Sequence, residues 1–275
     1  MHVKCAELCY NGLVINIDDY LSFAIDIARH AGKILMSSYG KSRLLQVVDK
    51  DEKGLVTKTD LDSDAYIKKR ITEAYPTHAL LTEESGATGE NALQWVVDGL
   101  DGTNNHRRGD PNFSVSLGLR MYGKGILGVV YAPVLGCLYY AAKDKGAFVE
   151  EKGIKRHLQV SEKESLDMFT MSFAVGIDFA NPEKYDRVVA AIRKTQGIRH
   201  FRRRMLESTA LELCYVASGK TDAHFNNFAK PWDIAAGVVI VREAGGKITM
   251  LEDEILLASN GVIHNELIKQ ARSIG

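Results

Sequence analysis

Three segments carry acidic residues in settings where a solvated surface helix would not place them. Leu81-Thr82-Glu83-Glu84-Ser85-Gly86 puts two carboxylates directly after an apolar run. Trp95-Val96-Val97-Asp98-Gly99-Leu100-Asp101-Gly102-Thr103 ends a second apolar run with two aspartates three apart, among glycines that permit a tight turn. Pro231-Trp232-Asp233-Ile234-Ala235-Ala236-Gly237 opens a small-residue helix with an aspartate. Singly, each has a plain structural use: Asp233 as an N-cap, Asp-Gly as a turn, Glu83-Glu84 as solvated charge. Together, carboxylates at the ends of buried strands repel one another unless a cation neutralises them. Hard oxygen ligands suit Mg²⁺, which binds through a few carboxylates plus substrate phosphate. A calcium loop is excluded, because counting from Asp98 puts Leu100 at its third position and Gly109 at its twelfth. A helix beginning at Asp101-Gly102-Thr103 would turn its backbone N–H groups toward a phosphate. Carboxylates for metal beside N–H groups for phosphate describe metal-assisted phosphoryl transfer to water.

The elements that must position these residues are partly legible. Apolar residues recur at helical spacing from Asp19 to Tyr39, with Asp18 or Asp19 able to cap the start and Gly40 the end. A second helix is predicted from about Asp62 to Ala74, stopped by Tyr75-Pro76. Ala79-Leu80-Leu81 and Trp95-Val96-Val97 read as short strands. Phe113–Met121, Gly125–Tyr131 and Cys137–Ala142 read as hairpins of an antiparallel sheet. Beyond them the pattern predicts helix over Ser208–Ser218, strand over Thr221–Phe225, helix over Trp232–Ala244, strand over Gly246–Leu251 and a closing helix over Val262–Arg272. Antiparallel strands flanked by helices distant in sequence suggest a layered α/β sandwich.

Composition narrows the function. Of 275 residues, 45% are hydrophobic and 25% charged, enough apolar material for a sizeable core. Lys plus Arg balance Asp plus Glu at 35 each, which gives no electrostatic reason to expect nucleic acid or an anionic membrane as partner. No apolar run approaches the ~20 residues of a membrane span, and the N-terminus lacks a secretory h-region. The expectation is a soluble, cytoplasmic protein. Four cysteines are too few for a disulfide scaffold. Cys5 and Cys9 lack the second ligand pair that a structural zinc requires, and Cys137 and Cys214 sit among apolar neighbours as small buried side chains.

With these residues in view, the sequence resembles the inositol monophosphatase family of lithium-sensitive, Mg²⁺-dependent phosphatases. The family pattern Asp-Pro-(Ile/Leu)-Asp-Gly-Thr-x-Asn-(Phe/Tyr) stands here as Asp98-Gly99-Leu100-Asp101-Gly102-Thr103-Asn104-Asn105-His106. Trp-Asp-x-Ala-Ala-Gly followed by Glu-Ala-Gly-Gly stands as Trp232–Gly237 and Glu243–Gly246. Glu83-Glu84-Ser85 and Val56-Thr57-Lys58-Thr59-Asp60 match two further blocks, in the right order, over nearly the whole chain. The resemblance implies a single domain over residues 1–275, folded as a layered α-β-α-β-α sandwich of mixed and antiparallel sheets. It implies that Glu83, Asp98 and the Leu100 carbonyl hold one Mg²⁺, and that Asp98, Asp101 and Asp233 hold a second. A weaker third ion leans on Glu83. By the same resemblance, Asp60 and Thr103 orient and activate the attacking water together with Glu83, while Gly102 and Thr103 cradle the phosphate. Asp101, Thr209 and Asn226 are expected to face the substrate, with Arg202 and Arg204 at its rim, and the resemblance implies a homodimer.

The sequence also departs from the pattern. Gly99 replaces proline, which is expected to leave the turn more mobile without metal. His106 replaces an aromatic and can pack like one, and Glu207 replaces a common glycine near the substrate rim. Asn226 stands where inositol-selective members carry glutamate, seven residues before Asp233. Arg202-Arg203-Arg204 reads either as a solvated edge that discourages strand pairing or as a cationic rim for a phosphate, with strand alternation then turning at least one guanidinium toward the site. The expected activity is hydrolysis of a small phosphorylated sugar or polyol, inositol 1-phosphate first, with a bisphosphorylated sugar accepted at a comparable rate. Fructose 1,6-bisphosphate and a 3′-phosphonucleotide are the alternative substrates. A non-catalytic regulatory protein on the same fold is the alternative of another class.

Overall fold

The structure, a computed structural model, describes residues 7–10, 13–41, 47–50, 54–176, 183–194, 198–252 and 255–272. A two-stranded ribbon, β1 (Glu7–Tyr10) and β2 (Leu13–Asn16), runs directly into α1 (Ile17–Ser38). Asn16, not Asp18 or Asp19, caps this helix: its side-chain oxygen accepts the Asp18 N–H at 3.2 Å. A second ribbon, β3 (Val47–Lys50) and β4 (Gly54–Thr57), feeds α2 (Lys58–Ala74). α2 begins earlier than its apolar spacing predicts, because Thr57 and Asp60 form a capping box at its start.

The next nine strands and helices build the larger sheet. They are β5 (Ala79–Thr82), β6 (Gly86–Thr88), β7 (Leu93–Asp101), the short α3 (Thr103–Arg108), β8 (Ser114–Met121), β9 (Lys124–Ala132), β10 (Cys137–Ala142), β11 (Ala147–Glu151) and β12 (Ile154–His157). Eight strands pair in the order β12-β11-β10-β9-β8-β7-β5-β6, antiparallel except for β5 beside β7. The expected hairpins are present. Tyr122 and Gly123, both at positive φ (50° and 76°), form the two-residue turn between β8 and β9 that matches strand twist.

The rest of the chain comprises β13 (Thr170–Ala174), α4 (Glu183–Lys194), β14 (Arg202–Arg204), α5 (Thr209–Ala217), β15 (Ala223–Asn226), α6 (Pro231–Glu243), β16 (Lys247–Glu252), β17 (Ile255–Ser259) and α7 (His264–Arg272). Its five strands pair as β14-β13-β15-β17-β16, with β13 parallel to both neighbours and the other pairs antiparallel. Apolar faces then fix the stacking. Ala24, Ile27 and Ala31 of α1 and Ile67 and Ile71 of α2 pack on Trp95, Leu117 and Val129 of the larger sheet. The opposite face, through Val130 and Tyr139, meets α5 and α6. Along β17, Leu256 and Ala258 join that central layer, while Ile255 and Leu257 join Phe173 and Leu267 on the outer side, beneath α7. Period-two alternation thus lets one strand close two cores. The result is the expected α-β-α-β-α sandwich.

α6 lies unusually close to the larger sheet. A Cβ on Gly118 would stand 2.7 Å from Ala235 Cβ, and one on Gly128 would stand 2.3 Å from the Ala236 carbonyl oxygen. Glycine on the sheet and alanine on the helix bring the N-terminus of α6, with Asp233, against the end of β7. Cys137 and Cys214 are free and buried, as expected; Cys5 and the side chain of Cys9 lie outside the described residues. Among the described residues, no helix is long and apolar enough to cross a membrane.

Candidate metal and phosphate site

Asp98 and Asp101 are three apart and would point to opposite faces of a regular strand. A bulge in β7 prevents this: Asp98 pairs with Ser116 and Asp101 with Ser114, which are two apart on β8. The extra residue puts both carboxylates on one face. The Leu100 N–H folds back to Asp98 Oδ1 at 2.9 Å. Gly99 sits in the bulge where space is short. A Cβ there would lie 3.0 Å from the Asp64 backbone nitrogen, and the Gly99 carbonyl accepts Ser63 Oγ at 2.8 Å, so α2 packs directly onto the turn.

Helix N-termini converge on this face. Asp101 Oδ2 accepts from Ser208 Oγ (2.5 Å), Ser114 Oγ (3.1 Å) and the Ala210 N–H (3.1 Å), and Oδ1 accepts the Thr209 N–H (3.1 Å). Asp101 therefore caps α5. Asp233 does not cap α6 as an N-cap residue. It sits in the first turn, and its Oδ2 accepts the Lys230 N–H at 2.9 Å. Asp60 plays the same part in α2, accepting the Thr57 N–H at 2.8 Å, and its Oδ1 accepts Thr103 Oγ1 at 2.7 Å. Gly102, at φ 91°, starts α3; a Cβ there would meet the Asn112 carbonyl oxygen at 3.0 Å. The positive ends of α2, α3, α5 and α6 thus surround one group of carboxylates, as helix dipoles favour.

Glu83 joins them from the end of β5, its N–H donating to the Val97 carbonyl at 3.2 Å. Ser85 fixes the same turn through its N–H to Thr82 Oγ1 and its hydroxyl to Asp64. Burial, then the fields of Glu83, Asp101 and Asp233, hold Asp98 well above the usual carboxylate range. Asp233 is raised well above it too, by burial and then by Asp101. Burial lifts Asp101 to about 6 against the pull of its four hydrogen bonds. Ser116 Oγ, buried in register with Asp98, has no hydrogen-bond partner among the described residues. As placed, no three Asp, Glu, His or Cys side chains among the described residues form a ready-made cage for an ion. The donor set fits a hard divalent cation nonetheless: facing carboxylates destabilised by one another, with an orphaned hydroxyl beside them.

The sequence pattern of the inositol monophosphatase family matches residues 16–274. The chain belongs to that family. It is 38% identical over 231 residues to the Nus factor SuhB of Pasteurella multocida, covering 83% of this chain and 84% of the relative. It is 34% identical over 265 residues to a fructose-1,6-bisphosphatase/inositol-1-monophosphatase of Aquifex aeolicus, covering 94% and 97%. The solved structure of a Thermotoga maritima IMPase superposes with a TM-score of 0.81 at 32% identity, over 93% of this chain and 98% of that one.

The structure therefore brings Asp60, Glu83, Asp98, Leu100, Asp101, Gly102, Thr103 and Asp233 of this family member to one place. The other substrate-facing expectations fare differently. Thr209 is buried behind Asp101, and its Oγ1 accepts Asn226 Nδ2 at 3.0 Å. Asn226 is itself buried and spends Oδ1 on the Phe228 N–H at 2.8 Å, so it braces Thr209 instead of opening to the rim. Arg202 and Arg204 are exposed on the edge strand β14, with no hydrogen bond or ion pair to a described carboxylate. All three arginines of the run are exposed, and Arg203 lies over the Phe201 ring, 5.2 Å from its centroid. The field of Arg204 reaches Glu212 and Tyr215 of α5. His106 packs as an aromatic, edge-on to Phe113 at 4.9 Å with Nε2 donating to the Leu35 carbonyl at 2.9 Å.

Two supports escaped the sequence reading. Ser208, the N-cap of α5, reaches Asp101 across 107 positions; a serine before an apolar helix was the available signal. Glu212 is fully buried in α5, accepts the Leu206 N–H at 3.1 Å, and has Oε2 3.7 Å from His224 Nδ1. Burial pushes Glu212 up to about 8 and His224 down to about 3. Both are uncharged at neutral pH, so this contact is not an ion pair.

Proposed function

We propose that the protein is a Mg²⁺-dependent phosphomonoesterase acting on a small phosphorylated polyol, inositol 1-phosphate foremost. The observation that carries this reading is the convergence of four helix N-termini on facing carboxylates beside the Thr103–Asp60 hydrogen bond. Glu83, Asp98 and the Leu100 carbonyl would hold one cation, and Asp98, Asp101 and Asp233 a second. Such ions lower the pKa of the attacking water and neutralise charge on the attacking and leaving oxygens. The Gly102 and Thr103 N–H groups receive the phosphate oxygens. Because Thr103 Oγ1 gives its proton to Asp60 Oδ1, its lone pairs are turned to accept from the attacking water. Asp60, anchored at the N-terminus of α2, fixes that direction. Water oxygen bonds to phosphorus, the phosphorus–alcohol bond breaks, and the alcohol oxygen takes up a proton.

Homodimer assembly is part of this reading. A regulatory role on the same fold is the alternative raised by the relative named Nus factor SuhB. The intact carboxylate set favours catalysis. Phosphate release from a panel of esters, with and without Mg²⁺, separates the two: an enzyme releases phosphate only with the ion, and a binding protein releases none.

A further inference from the structure

The rim segment Met205-Leu206-Glu207 is clamped from beneath. Leu206 donates its N–H to Glu212 at 3.1 Å, and its carbonyl accepts Asn105 Nδ2 at 2.6 Å. Between these anchors and Ser208, Glu207 is held at φ 57°, a left-handed conformation that costs a glutamate free energy and a glycine none. Its carbonyl oxygen lies 3.3 Å from where a Cβ on Gly102 would stand, so the Glu207 backbone packs against the start of α3, beside the phosphate cradle. The carboxylate is aimed by two hydrogen bonds in series: Arg107 Nη2 donates to Asn104 Oδ1 at 3.2 Å, and Asn104 Nδ2 to Glu207 Oε2 at 3.1 Å. Oε1 stays open, on an exposed side chain. Asn104 and Glu207 line an open cavity of about 540 Å³, within the size range of small-molecule sites. Two of its charged residues, Glu207 and Asp110, are acidic, against one basic, Arg108.

We propose that Glu207 is a specificity residue: its carboxylate accepts hydrogen bonds from neighbouring hydroxyls of the leaving alcohol and repels an alcohol bearing a second phosphate. The proposal rests on the phosphomonoesterase reading above. An ionised carboxylate only accepts hydrogen bonds, so it matches O–H donors and opposes phosphate oxygens. A strained, aimed, half-free carboxylate beside the cradle thereby selects polyol monoesters. This runs against the sequence expectation that a bisphosphorylated sugar is accepted comparably.

The test measures kcat/KM for inositol 1-phosphate, fructose 1,6-bisphosphate and p-nitrophenyl phosphate with Mg²⁺, using wild type, Glu207→Gly and Glu207→Gln. Glu207→Gly should lower the ratio of inositol 1-phosphate to p-nitrophenyl phosphate about tenfold, mostly through KM, as loss of a charge-assisted hydrogen bond implies. Glu207→Gln, which keeps the shape, should raise the ratio of fructose 1,6-bisphosphate to inositol 1-phosphate by a similar factor, roughly tenfold. Glu207→Gly should melt no lower than wild type, because glycine relieves the left-handed strain. Ratios unmoved in both folded variants would overturn the proposal while leaving the phosphatase reading standing. Absence of hydrolysis of all three esters by wild type would overturn the phosphatase reading itself, and the proposal with it.

Discussion

Replacing Glu212 with glutamine isolates one buried proton. In the folded protein Glu212 has no exposed surface, and burial raises its carboxyl from 4.5 to about 8. Between those values the folded chain keeps a proton that the unfolded chain has released, so stability falls as pH rises. A raised folded-state pKa contributes stability that is fully present below 4.5 and lost as pH climbs through about 8. The interval is about three and a half pH units, or about 5 kcal/mol at 1.36 kcal/mol per unit, a ceiling for the pH-dependent part. Glutamine keeps an acceptor for the Leu206 N–H and carries no titrating proton. Urea unfolding from pH 4.5 to 8.5 is the assay. Wild type should lose stability more steeply than Glu212→Gln, with the two curves nearest below pH 5 and widest apart above pH 8. Parallel curves across that range would show that Glu212 is ionised in the folded protein and would refute the reasoning.

Other perturbations follow from the same geometry. Thr103→Val keeps the side-chain shape but removes the hydrogen bond to Asp60, and should cut kcat by roughly 10²–10³-fold with little change in melting temperature, as steady-state kinetics would show. Gly99→Ala places a Cβ 3.0 Å from the Asp64 nitrogen and should cost about 1–2 kcal/mol in chemical denaturation; an unchanged midpoint would mean that α2 yields easily there. Mg²⁺ at a hundred times its dissociation constant should stabilise wild type by about 2.7 kcal/mol and so raise its melting temperature. It should also weaken the loss of stability with pH that Asp101, raised to about 6, imposes, and calorimetry at pH 5 and pH 7 tests both effects.

The fold was legible where packing obeys a local period. α1, α2 and α6 carry helical spacing, and the hairpins of β8 to β10 carry apolar runs between turn residues. β13 and β14 were not legible as a parallel pair, because Thr170↔Arg202 is a contact between residues far apart in sequence, with α4 between them. The exposed Arg202-Arg203-Arg204 offers no apolar face to announce its partner. At the site, the carboxylates were legible from residue type and order. Their supports were not, since Ser208 and Ser114 meet Asp101 only through tertiary folding. Thr57-Lys58-Thr59-Asp60 was legible as a family block, but not as the capping box that sets where α2 begins. Nor was the burial of Asn226 legible, since its amide bonds to Thr209 and Phe228, partners that no spacing reveals.

The central claim is that the facing carboxylates serve a divalent cation in phosphate ester hydrolysis, with Asp98 shared between two ion positions. Phosphate release from inositol 1-phosphate, titrated with Mg²⁺ for wild type and Asp98→Asn, tests it most directly. The expected result is release that requires Mg²⁺ in wild type and falls by orders of magnitude in a folded Asp98→Asn. Release independent of Mg²⁺, or wild-type turnover by Asp98→Asn at low Mg²⁺, would contradict it.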